Sequence, residues 1–103
     1  MGRIEKLREM LENSPQDSFL KHAMALEYIK VGDDGSAKNL FEEILQNEPG
    51  YVGSYYHLGK LLERTGDVEK AKETYERGII ECKKVNDRHA MNELQAAYDD
   101  LTT

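Results

Sequence analysis

Apolar residues recur at helical spacing along almost the whole chain: Ile4, Leu7 and Leu11; Leu20, Met24 and Tyr28; Leu40, Phe41, Ile44 and Leu45; Leu58, Leu61 and Leu62; Tyr75, Ile79 and Ile80; Met91, Leu94, Tyr98 and Leu101. Steps of three and four place each set on one face of a 3.6-residue helix, and no segment alternates as a half-buried strand does. Turn and capping residues interrupt the pattern at NSPQD (13–17), VGDDG (31–35), NEPGY (47–51), TGD (65–67) and VNDR (85–88). The pattern therefore predicts an all-α chain of six helices, each of about 11–16 residues, joined by short turns.

The interruptions themselves repeat. A shift of 34 residues lays Gly32-Asp33 on Gly66-Asp67, Met24-Ala25 on Leu58-Gly59, Ala37 on Ala71, Phe41 on Tyr75 and Pro15 on Pro49. Two helix pairs are copies of one unit, and the first helix is the second half of an incomplete earlier copy. Gly59 lies inside one of these helices, where glycine costs roughly 1 kcal/mol relative to alanine. A phosphate-binding loop would need its glycines between a strand and a helix start, and there is no strand. Close approach of a second helix is the reading that accounts for this glycine.

Tyr55-x-x-Leu58-Gly59-x-x-Leu62 followed by Ala71-x-x-x-Tyr75 resembles the tetratricopeptide repeat, with Lys21-x-x-Met24-Ala25-x-x-Tyr28, Ala37-x-x-x-Phe41 and Pro49 as a weaker twin. The resemblance covers roughly residues 3–83. It implies an array with a half-repeat helix at 3–14, repeats at 17–50 and 51–84 and a capping helix at 87–102, all in a single domain over 1–103. It also implies that Ala25 and Gly59 lie where the second helix of each unit crosses the first. Three positions depart from the family pattern: Lys21 replaces a large aromatic, Gly78 stands where alanine is usual, and Lys83 replaces the closing proline.

Composition narrows the function. In 103 residues with 39% hydrophobic content there is room for one small core and little else. A formal net charge of -6 opposes general binding to nucleic acid. The single Cys82 forms no internal disulfide, and the sequence offers neither a signal peptide nor a membrane span, so the cytoplasm is the expected compartment.

Little chemistry is encoded. His22, His57 and His89 stand at no helical metal-pair spacing, although His22 and His57 could approach across adjacent helices; no metal or cofactor is expected. Lys83 and Lys84 could lower the Cys82 thiol pKa if that side chain were exposed, but no motif supplies a base. Neighbouring carboxylates such as Glu42-Glu43 and Asp99-Asp100 read as solvated faces. The chain is expected not to be an enzyme.

Binding remains. The resemblance implies that the first helix of each unit lines a concave face where peptides lie, which assigns a groove to Phe19, His22, Leu26 and Lys30 in the first unit and to Tyr56, His57, Lys60 and Arg64 in the second. The second set is aromatic and cationic and suits a protein or peptide partner with acidic residues. The clamp by which some relatives hold a terminal carboxylate is not supported, since His22 and Leu26 occupy its first helix. A different class of function is also expected from the residues: Phe19, Leu26 and Ile29 form an apolar stripe through which copies could self-assemble into a homodimer or a stack.

Overall fold

The computed structural model describes residues 2–103. Six helices follow one another: α1 (Arg3–Asn13), α2 (Ser18–Lys30), α3 (Asp34–Asn47), α4 (Gly53–Arg64), α5 (Val68–Val85) and α6 (Arg88–Thr102). Among the described residues there is no strand, and no helix is long and apolar enough to cross a membrane. The all-α helical-repeat expectation is what the structure has.

Four of the six helix starts obey one rule. Asp17, Asp33, Asp67 and Asp87 each accept a hydrogen bond from the backbone N–H three residues on, at Leu20, Ser36, Lys70 and Ala90, so α2, α3, α5 and α6 are capped by a carboxylate at the positive end of the helix dipole. The stops obey another. Gly32 and Gly66 take φ values of 83° and 91°, and the amides of Asp33 and Asp67 reach back to the carbonyls of Tyr28 and Leu62. Left-handed backbone of this kind favours glycine and satisfies the last carbonyls of α2 and α4.

One element exceeds its expected length. α5 has 18 residues, because Lys83 retains the N–H and lacks the ring by which a proline would have ended the helix. The stop is supplied later by Asn86 at φ 59°, with the Asp87 amide bonded to the Cys82 carbonyl.

The chain divides into two compact units, Met1–Glu48 and Pro49–Thr103. In the first, α2 packs against α3 and α1 packs against α2. Its core is Leu7, Met24, Ala25, Ala37, Phe41, Ile44 and Leu45. Lys21, in the register position of Tyr55, is also buried, and its Nζ lies 2.7 Å from the carboxylate of half-exposed Glu43. Glu43 is thus more than a solvated side chain. Arg3 and Arg8 of α1 reach Glu27 and the Tyr28 hydroxyl of α2.

In the second unit α5 packs against both α4 and α6, and α6 also touches α4. Tyr55, Leu58, Leu61, Leu62, Ala71, Tyr75, Cys82, Leu94 and Ala97 are buried. Burying each large apolar side chain contributes about 1.5–3 kcal/mol, set against the entropy of ordering it. Two glycines make this packing close. A Cβ on Gly59 would strike the ring of Tyr75, and one on Gly78 would lie 2.7 Å from the Tyr55 Cβ and 2.8 Å from a Leu94 methyl carbon. Gly59 is therefore a crossing point of α4 and α5, as the repeat register implies. Gly78 is where α5 meets both of its neighbours.

Candidate functional site

Each unit holds four of the eight residues expected to bind. In the first unit, Phe19 is 66% exposed, while His22 and Leu26 are half-buried. The His22 ring stands edge-on to Phe41, with centroids 5.6 Å apart. Lys30 is exposed and its ammonium is 3.2 Å from Glu27, a residue of its own helix. Leu26 and Ile29 are both half-buried, so the apolar stripe expected to be open reduces to Phe19. A single exposed aromatic is ordinary on a soluble surface.

The second unit contains a recess. Tyr56 and Lys60 of α4 face Glu93, Ala96, Ala97 and Asp100 of α6 across a cleft of about 210 Å³. Helical spacing explains both walls: Tyr56 and Lys60 are one turn apart, and Glu93, Ala96, Ala97 and Asp100 fall at i, i+3, i+4 and i+7. Small alanines let α6 approach α4 without filling the gap. His57 lies beside the cleft with its ring edge-on to Tyr56 at 5.7 Å. Burial pushes the His57 pKa down, and the nearby Glu93 carboxylate opposes that shift. Arg64, at the last turn of α4, is exposed and not among the cleft residues.

Lys60 is surrounded by more charge than α4 alone suggests. Its Nζ sits 5.7 Å from the centroid of the Tyr56 ring and 3.9 Å from the Glu63 carboxylate. Glu63 also accepts the hydroxyl hydrogen of Tyr75, whose ionisation is pushed strongly upward by burial and then by that bond. Across the cleft stand Glu93 and Asp100. A surface that reads as aromatic and cationic along α4 is mixed in sign once α6 is in place.

Glu93, Ala96, Ala97 and Asp100 are the cleft residues absent from the sequence expectation. The signal was present as a second stripe on α6, next to the Met91, Leu94, Tyr98 and Leu101 stripe, composed of alanines bracketed by carboxylates. Residues so small and polar look like solvent-facing positions until a partner helix is seen opposite.

Other candidates resolve by burial. Cys82 is buried and its thiol pKa is raised, chiefly by desolvation and then by Asp87, which makes it a packing residue rather than a nucleophile. Among the described residues no group of three or more His, Cys, Asp and Glu side chains could hold a metal ion.

Similarity to known proteins agrees with this architecture. The family model for the tetratricopeptide repeat matches residues 28–98. The chain belongs to the tetratricopeptide repeat family. It is 25% identical over 91 residues to a TPR repeat-containing protein of Pseudomonas aeruginosa, covering 88% of this chain and 87% of that protein. A tetratricopeptide repeat domain protein of Salinibacter ruber is 38% identical and superposes with a TM-score of 0.80 over 84% of this chain and 96% of its own. The first TPR of Spaghetti (RPAP3), solved bound to the HSP90 peptide SRMEEVD, shares the fold with a TM-score of 0.74 at 21% identity, over 97% of this chain and 78% of its own.

Proposed function

We propose that this protein is a non-enzymatic interaction module that binds a short peptide segment of a partner protein, with the α4–α6 cleft of the second unit as a principal contact. The observation that carries this reading is the cleft itself: a half-buried tyrosine, two alanines and charged groups of both signs, about 210 Å³ in volume, between two helices of one unit. Tyrosine walls contribute large contact area at small entropic cost, and flanking charges set orientation. A tetratricopeptide repeat neighbour that binds a peptide supports the same class of function. Tyr56, His57 and Lys60 are the groove residues placed closest to that cleft, with Arg64 beyond its end. On the first unit, taken by itself, Phe19, His22, Leu26 and Lys30 are the residues proposed to contact a peptide.

A surface of this size favours modest affinity, micromolar or about −8 kcal/mol. The net charge of the whole cleft, rather than of α4 alone, governs whether the partner is acidic.

The test is selection of a displayed library of random twelve-residue peptides on immobilised protein. Enrichment over blank resin that is lost with Ala96→Trp, which fills the cleft from an exposed position, supports the reading. No enrichment, or enrichment indifferent to Ala96→Trp, overturns it.

A further inference from the structure

The cleft has one cation and two carboxylates on its walls: Lys60 against Glu93 and Asp100. Lys60 has other company, for its ammonium lies 3.9 Å from Glu63 on its own helix and over the Tyr56 ring. It is 41% exposed at the side chain, so its flexible stem can swing toward Glu63 at small cost. The carboxylates on the α6 side are differently placed. Glu93 has the imidazole of exposed His89 at 3.8 Å, a partner only when that histidine is protonated. Asp100 lines the same recess about two turns further on, with Ala96 and Ala97 between them.

From this arrangement we infer that the α4–α6 cleft receives a lysine or arginine side chain of the bound peptide. Its aliphatic stem would lie on Ala96 and Ala97, and its charge would meet Glu93 and Asp100 with the Tyr56 ring alongside. Charge complementarity selects this occupant over an acidic one. A carboxylate entering the cleft would gain Lys60 but would have to approach Glu93 and Asp100, whereas a cation gains both carboxylates and the face of Tyr56. Arginine fits better than lysine, because its planar guanidinium can stack on the ring and still present paired N–H donors to a carboxylate. Lys60 then acts as the competitor of the incoming cation rather than as its receptor. This inference rests on the peptide-binding reading and adds the chemistry of the ligand.

The two can fail separately. Peptides enriched by selection are synthesised with blocked ends, and their dissociation constants are measured by fluorescence anisotropy at low ionic strength for the wild-type chain, for Lys60→Ala and for Glu93→Gln with Asp100→Asn. All three substitutions fall on exposed or half-exposed side chains, and melting curves verify that the variants are folded. The expected result is that enriched peptides carry a shared arginine or lysine, that Glu93→Gln with Asp100→Asn weakens binding roughly three- to ten-fold, and that Lys60→Ala tightens it by a few-fold. Peptides that bind but are enriched in acidic residues, or that weaken with Lys60→Ala and ignore the α6 pair, overturn the inference and leave peptide binding intact. Selection that yields no binding peptide overturns both.

Discussion

The ring of Tyr75 occupies the space that a side chain on Gly59 would need: a Cβ there would lie 2.6 Å from Cζ and 2.7 Å from Cδ1 of that ring. Tyr75 is fully buried and its hydroxyl is committed to Glu63, so the ring has nowhere to withdraw. Gly59→Leu should lower stability by about 1–3 kcal/mol through overpacking, a drop of roughly 4–8 °C in Tm for each kcal/mol in a domain of this size. Gly53 is the control, since nothing lies within 4 Å of its Cβ position. Gly53→Ala should leave Tm unchanged or slightly raised; equal losses at both glycines would refute the crossing-point account.

Lys21 and Glu43 behave as an asymmetric pair, 5% and 51% exposed at their side chains. Removing the carboxylate leaves a buried ammonium without its counter-charge, whereas replacing the lysine by an apolar residue of similar length removes the need for one. Glu43→Ala is expected to destabilise the first unit by about 1–3 kcal/mol, with Lys21→Met within about 1 kcal/mol of wild type. Urea denaturation of the two variants checks the order. A larger loss for Lys21→Met would show that the pair contributes net stability.

The lowered pKa of His57 carries a pH dependence. The folded chain holds this imidazole neutral below the ordinary value of 6.5, while the unfolded chain protonates there. The unfolded state binds more protons in that window, so the stability contributed by neutral His57 is complete above pH 6.5 and is lost as pH falls through the folded pKa. Denaturation midpoints between pH 7 and 5 should decline less steeply for His57→Gln than for wild type. Parallel slopes would mean that His57 titrates alike in both states.

Cys82 should report on opening of the second unit. Its thiol is buried and its ionisation is disfavoured, so a thiol-specific reagent at neutral pH should label native protein slowly and urea-unfolded protein at once. Labelling in native buffer as fast as in urea would place the thiol at the surface.

Much of this fold could be read in the sequence because local signals and the repeat agree. Each aspartate cap and each left-handed glycine falls where the pattern breaks, and the repeat resemblance implies a helix crossing at Gly59, where the structure has the ring of Tyr75. Two kinds of feature were not legible. The length of α5 depends on the missing proline at Lys83, whose effect is an absence of interruption rather than a signal. The α6 wall of the cleft is a matter of what stands opposite: Ala96 and Asp100 are unremarkable in sequence and gain meaning only from Tyr56 and Lys60 on another helix. The charge of the groove depends on the same neighbour: α4 by itself is aromatic and cationic, and Glu93 and Asp100 of α6 make the cleft mixed in sign.

A nitrogen-15 backbone NMR titration with a peptide from the selection tests the central claim most directly. The account expects saturable shifts at Tyr56, Lys60, Ala96 and Asp100 that disappear in Ala96→Trp. Shifts confined to the outer face of α5, or unchanged by filling the cleft, would contradict it.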